Sequence, residues 1–119
     1  MNIDYTMKLR SISVIDQQDT FTNVIKRVEW VVSFFDTATP HVISDGTVET
    51  YLNTDAISAD TFTPYDNLTH TAILQWALDA EGGTAFLDQL LEGGHAAHLE
   101  KSIADASLTD KDVDLLLEA

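Results

Sequence analysis

The histidines are the first side chains in this sequence with the chemistry to bind a metal or transfer a proton. His95 and His98 are three residues apart, which places both imidazoles on one side of a helix, and Glu92 precedes them by about one turn. However, Gly93-Gly94 interrupts the rigid helix that a metal site needs, and no His-Glu-x-x-His motif is present. We therefore interpret the pair as part of a solvated helix face.

Acidic residues are the next candidates, because clustered carboxylates bind calcium. Asp110, Asp112 and Asp114 alternate near the C-terminus, but the glycine and the final glutamate of a calcium loop are missing. We interpret them as acids at a helix N-terminus, where the helix dipole favours negative charge. His41 and His70 have no sequence neighbour that would make either a base. No phosphate-binding glycine loop or Gly-x-Ser-x-Gly motif occurs, so we expect no catalytic residue, cofactor or metal, and a protein that is not an enzyme.

Composition narrows the class of protein. The chain has 119 residues, 45% of them hydrophobic, and no cysteine, which is typical of one folded domain without disulfides or thiolate metal sites. Twenty acidic residues against six basic ones give a net charge of −14, which repels phosphates and argues against direct nucleic-acid binding. The charge suits a basic partner, or it supplies only solubility. The N-terminal MNIDYTMKLRSIS lacks the apolar core of a secretion signal, and no stretch is apolar enough for a bilayer span.

The first half of the sequence predicts three strands. Apolar and polar residues alternate from Ile3 to Leu9, and the phase then shifts, which predicts a bulge near Arg10-Ser11. Polar residues 16–19 predict a hairpin loop. A long second strand follows, with Val24, Val28, Trp30, Val32 and Phe34 in one phase and Val31 and Phe35 in the other.

The third strand is expected from about His41 to Leu52, after a turn at residues 37–40. Asp45-Gly46 within it predicts a bulge or a tight hairpin. Residues 53–60 are polar and without periodicity, and residues 62–69 form a connector with aromatic anchors.

Helical patterns dominate the remainder. A helix beginning after Asn67 or Thr69 and ending at Gly82 would align Leu68, Ala72, Trp76 and Ala80, with Ile73 and Ala77 beside them. Thr84 is the expected cap of a second helix, which Gly93-Gly94 breaks or weakens before it resumes to Ala106. A short terminal helix is expected over residues 110–118.

These patterns predict an α+β fold, in which a three-stranded antiparallel meander precedes two to three C-terminal helices packed on the sheet. The predicted regions are the sheet at residues 1–54 and the connector and helices at residues 55–119, together forming a single domain. Trp30 and Trp76 should both be buried where helix meets sheet.

Two groups of apolar side chains are hard to cover within one copy of such a small fold. Phe34 and Phe35 lie on opposite faces of one strand, and Leu115, Leu116 and Leu117 end the chain. Edge strands also present unpaired backbone groups. These five residues are the candidate interface, and we expect a homo-oligomer or an assembly with a larger protein.

The order of features resembles a family of small uncharacterised proteins of tailed bacteriophages, cyanophages and other marine phages in particular. The matching segments are Val28-Glu29-Trp30 and Phe62-Thr63-Pro64-Tyr65-Asp66-Asn67-Leu68-Thr69, followed by Trp76. The Gly-Gly interruptions and the leucine-rich end depart from that pattern.

The resemblance implies a structural or accessory subunit of a phage particle, made in the host cytoplasm and located in the virion. Its expected partners are other phage structural proteins or copies of itself, not nucleic acid or membrane. The alternative is a small acidic intracellular protein that inhibits a basic-site, nucleic-acid-binding partner.

Overall fold

The computed structural model describes residues 1–55, 57 and 62–109. Three strands come first: β1 (Ile3–Gln18), β2 (Phe21–Asp36) and β3 (Thr39–Tyr51). Helices follow as α1 (His70–Glu81), α2 (Thr84–Leu90) and α3 (Ala96–Ala106), with a single 3-10 turn at Tyr65–Asn67 before α1. The sheet is antiparallel in the order β1-β2-β3, which confirms the predicted α+β fold.

The β1–β2 hairpin is longer than the sequence predicted. Residues 16–18 continue the strand, since Gln18 pairs with Phe21, and the turn contains only Asp19 and Thr20. Asp19 has a φ of 53°, a left-handed conformation that aspartate tolerates better than most residues. The predicted bulge is confirmed, because the pairing register shifts between Leu9 and Ser11; a second shift follows at Ser13/Val14.

The β2–β3 connection is shorter than the predicted turn at residues 37–40. β3 already begins at Thr39, and Pro40 lies at the register shift that follows Asp36. Proline is tolerated there because β3 is an edge strand. Gly46 forms neither a bulge nor a hairpin: it pairs with Val32 in an uninterrupted ladder.

α1 begins and ends at the residues that the sequence indicated. The side chain of Thr69 accepts a hydrogen bond from the backbone N–H of Ala72 at 3.2 Å, and Gly82 ends the helix with a φ of 116°. The predicted apolar side was correct only in part. Ile73 and Ala77 are buried, together with Leu74 and Leu78, whereas the aligned stripe that contains Trp76 is not buried.

α2 and α3 are separated by a kink at the paired glycines. The N-cap of α2 is Gly83, not Thr84, and no side chain caps it. Residues Leu91–His95 form a wide π-type turn in which Gly94 has a φ of 148°, so the predicted break is confirmed. The predicted terminal helix lies outside the described residues.

The core lies between the sheet and the helices. Its largest side chain is Trp30, which is fully buried, packs against Phe86 at 6.2 Å between ring centroids, and donates its indole N–H to Thr50 Oγ1 at 3.0 Å. The Thr50 hydroxyl in turn donates to Glu81 of α1 at 2.8 Å. Trp76 is 36% exposed, so the prediction that both tryptophans are buried was correct for Trp30 and wrong for Trp76.

Candidate protein–protein interface

The two faces of the sheet have different surroundings, and residue parity along β2 separates them. Even-numbered residues from Val28 to Asp36 point toward the helices and are buried. Odd-numbered residues from Arg27 to Phe35 point away from the helices and are half-buried. Within the described part of the chain no helix covers this second side, which we call the open face.

The open face has an apolar end, close to the β2–β3 turn. Phe35 of β2 lies directly opposite Ile43 of β3, and Val31 lies four residues away along β2 on the same face. Ile43 is 48% exposed, whereas Phe35 and Val31 are half-buried between their neighbouring strands. An apolar cluster on an otherwise polar sheet surface is typical of a contact with another protein.

The other end of the open face carries a ladder of charges. Arg27 contacts two carboxylates, Glu29 at 3.1 Å and Glu49 at 2.9 Å, while Arg10 lies 3.6 Å from Glu29. The hydroxyl of Tyr51 donates to Glu49 at 2.6 Å. Alternating signs across strands stabilise the pairing and keep this end rigid.

Protonation in the ladder follows from these contacts. The hydrogen bond from Arg27, with a second from Tyr51, lowers the pKa of Glu49 below its usual value. The same two bonds to Glu49 raise the pKa of Arg27 and of Tyr51. These shifts favour the ion pair between Arg27 and Glu49 at neutral pH.

The candidate interface residues from the sequence have different positions. Phe34 is 0% exposed and packs against His95 at 5.2 Å between ring centroids, so it is a core residue. The prediction that one copy of the fold leaves Phe34 uncovered was therefore wrong. Phe35 lies on the open face. Leu115, Leu116 and Leu117 lie outside the described residues.

His95 and His98, interpreted from the sequence as a solvated face, both contact the sheet, although His98 is exposed and only His95 is half-buried. The Nδ1 atoms of both rings lie 2.8 Å from the hydroxyl of Ser44. A hydroxyl has one proton, so with neutral rings Ser44 donates to one imidazole and accepts from the N–H of the other. Ser44 is only 1% exposed, so this hydroxyl anchors α3 to β3 and is out of reach of a substrate.

Gly46 completes this anchor. A Cβ at position 46 would lie 3.0 Å from His95 Nε2, so the glycine leaves space for the imidazole against the sheet. Sequence reasoning missed this contact, because residues 46 and 95 are distant along the chain. Its only sequence signal was a glycine in a strand, which can mark close approach of another group.

A cleft of about 230 Å³ lies near the β1–β2 hairpin. Its lining includes Phe62, Leu68 and Trp76 against Val24 and Leu52. Phe62 also stacks on Phe21 at 4.7 Å between ring centroids. The cleft explains the partial exposure of Trp76.

The described residues also bear on metal binding and on membrane spans. Among residues 1–55, 57 and 62–109, no three His, Asp or Glu side chains are grouped to hold a metal ion. In that part of the chain, none of the helices has the length and hydropathy that a bilayer span requires.

Comparison with known proteins gives one match. Residues 2–113 match the profile of a family described as a domain of unknown function, DUF7936. No curated protein and no solved structure matches the chain. Since the match covers nearly all of its 119 residues, the chain belongs to the DUF7936 family.

Proposed function

We propose that this protein is a structural or accessory subunit of a tailed-phage particle: a capsid decoration, a head–tail connector or a tail-associated subunit. The observation that carries the proposal is the one-sided packing of the sheet. Helices bury one face, while the described residues leave Phe35 and Ile43 uncovered on the other. A small domain that presents such a face stabilises it by contact with another subunit.

The edges of the sheet add a second surface for assembly. β1 and β3 each pair on one side only among the described residues, so each presents unpaired backbone N–H and C=O groups. Pro40 and the bulge at Leu9/Ser11 interrupt these edges, which limits uncontrolled pairing. The open face is therefore the better candidate for a specific contact.

The polar groups with catalytic chemistry support binding rather than catalysis. Ser44, His95 and His98 lie together, but the serine is buried and both imidazoles use Nδ1 to hold it. Their arrangement joins α3 to the sheet. The ion pairs of Arg27 similarly join β2 to β3.

Mass spectrometry of purified phage particles tests this proposal. Particles should be prepared from cells that carry the gene, and peptides of this chain quantified against a known major structural protein. We expect a constant stoichiometric ratio across gradient fractions that contain particles. Absence of the peptides from those fractions would refute the proposal.

A second candidate function follows from where the charge lies. Residues 62–109 contain seven acidic residues and one lysine, so the helical layer is strongly negative. Such a surface suits an inhibitor that occupies a basic, nucleic-acid-binding site of another protein. Salt-sensitive binding to such a protein, combined with absence from particles, would favour this function over the first.

A further inference from the structure

We infer that the open face binds the same face of a second copy of this chain, with the twofold axis parallel to β2. This inference rests on the proposed assembly function and names one partner for it.

The two edges of the open face carry opposite charges. On β1, Lys8 and Arg10 project to this face with one acid, Asp4, so this edge is net basic; on β3, Asp45 and Glu49 project to it without a lysine or arginine. A twofold axis parallel to β2 places β1 of each copy over β3 of the other. The basic edge of one copy then meets the acidic edge of its partner twice, because an isologous contact occurs in pairs.

The register of the sheet makes these contacts specific. Lys8 and Thr47 both pair with Val31, so they lie at one level along the strands. Rotation about an axis parallel to β2 preserves that level. Lys8 of one copy is therefore placed over Thr47 of the other, with Asp45 and Glu49 each two residues, or about 7 Å, away along the strand. Among the described residues the ion pairs do not include Lys8, which leaves its ammonium available to a partner.

The central strand lies nearest the axis, so Val31 and Phe35 would each lie near their own copy across the interface. The hydroxyl of Ser33 between them donates to Asp45 at 2.6 Å and keeps this partner when the faces meet.

Two other levels of the sheet bring polar groups into the contact. Asp4 and Ile43 both pair with Phe35, so Ile43 of one copy is placed over position 4 of the other. Arg27 and Glu29 also belong to the central strand, and their charges are already paired within each copy.

The area of the face is that of a weak dimer. Three strands about 4.8 Å apart give a width of about 14 Å, and all three are paired over Arg27–Asp36 of β2, which gives a length of roughly 34 Å. The product is roughly 480 Å², below the 800 Å² or so that each partner contributes to a standard interface, so the dimer should dissociate on dilution.

Charge also favours a contact between copies through the open face over one through the helical side. The open face carries three basic residues (Lys8, Arg10 and Arg27) against four acidic ones (Asp4, Glu29, Asp45 and Glu49), so it is nearly neutral. The helical layer, with seven acidic residues and one lysine, repels its own copy. In a chain of net charge −14, the near-neutral face is the one that two copies can bring together.

Sedimentation velocity on the full chain at several concentrations tests the inference. We expect the wild type to sediment as a dimer and Ile43→Asp to sediment as a monomer, with a dissociation constant raised at least roughly tenfold. The matched control is Tyr65→Asp, which adds the same charge at a side chain 44% exposed beside α1, against 48% for Ile43. This control should remain a dimer.

A charge exchange tests the orientation and does not depend on the folding of Ile43→Asp. Lys8→Glu should weaken the dimer, and adding Thr47→Lys to that variant should restore it. A restored dimer would indicate an axis parallel to β2, because β2 lies between residues 8 and 47 within one copy.

A wild type that stays monomeric, or an Ile43→Asp variant as dimeric as the wild type, would overturn the inference. Failure of Thr47→Lys to restore Lys8→Glu would overturn the orientation. These results are distinguishable from failure of the proposed function: a monomer found in particles retains that function, and a dimer absent from particles refutes it.

Discussion

Replacing each tryptophan by phenylalanine is expected to separate the buried ring from the exposed one. Trp30→Phe removes two ring carbons and the indole N–H from a site with no exposure. At about 0.8 kcal/mol for each buried carbon-sized group, the lost burial amounts to about 1.6 kcal/mol. Loss of the hydrogen bond to Thr50 adds about 1 kcal/mol, so the free energy of unfolding should fall by about 2.5 kcal/mol.

Trp76→Phe is the matched comparison. This ring is 36% exposed at the border of a cleft, so the same change should cost less than about 1 kcal/mol. Urea unfolding followed by circular dichroism measures both variants. With a slope of about 1.5 kcal/mol per molar urea, Trp30→Phe should lower the midpoint by roughly 1.7 M. Equal midpoints for the two variants would refute the packing of the helices on this face of the sheet.

Two further variants test the anchor of α3 and the charge ladder. Ser44→Ala removes the hydroxyl that holds two imidazoles, so we expect a loss of about 1–2 kcal/mol in unfolding free energy. Amide hydrogen exchange should speed up more in α3 than in the rest of the chain. Unchanged exchange in α3 would contradict the anchoring role. Glu49 has a lowered pKa in the folded state, so its ionised form stabilises the fold at any pH above its usual pKa of 4.5. This contribution is lost as the pH falls through the lower pKa of the folded state. Glu49→Gln should therefore be less stable than the wild type at pH 7, and the difference should shrink as the pH falls below 4.5. A difference that stays constant on acidification would contradict the pairing with Arg27.

Local patterns in the sequence were sufficient to predict the elements and their order. Alternation defined the strands, and Thr69, Gly82 and Gly93-Gly94 marked where helices begin, end and break. These signals act within a few residues of the chain, and the antiparallel order follows from the short connections between successive strands.

The face that the helices cover was not predictable in the same way. Only the end of β2 is apolar in both phases, so Phe34 and Phe35 were both left as candidates, and the burial of Phe34 depends on His95, which is far downstream in the sequence. Trp76 similarly belongs to one of two adjacent apolar stripes on α1. The stripe that is buried against the sheet is the one with Ile73 and Ala77, because small and branched side chains allow the helix to approach the sheet.

The most specific contacts were the hardest to predict. The role of Gly46 depends on His95. The role of Ser44 depends on two imidazoles, which the π-type turn before α3 directs toward the sheet. Gly93-Gly94 was taken as evidence against a functional pair of histidines. In the structure the same glycines provide the kink that directs those histidines toward the sheet.

The central claim is that the open face of the sheet is the surface at which copies meet, and thiol cross-linking tests it most directly. The chain has no cysteine, so a single one at Ser33, on the central strand of the open face, reports on that face alone. The control places the cysteine at Asp88, an exposed position of α2 on the helical side. Facing sheets pack about 10 Å apart, which is too far for a disulfide, so a bis-maleimide reagent of about that length is used. With this reagent we expect Ser33→Cys to form a covalent dimer rapidly while Asp88→Cys stays monomeric. Equal cross-linking of the two variants, or cross-linking of Asp88→Cys alone, would contradict the account.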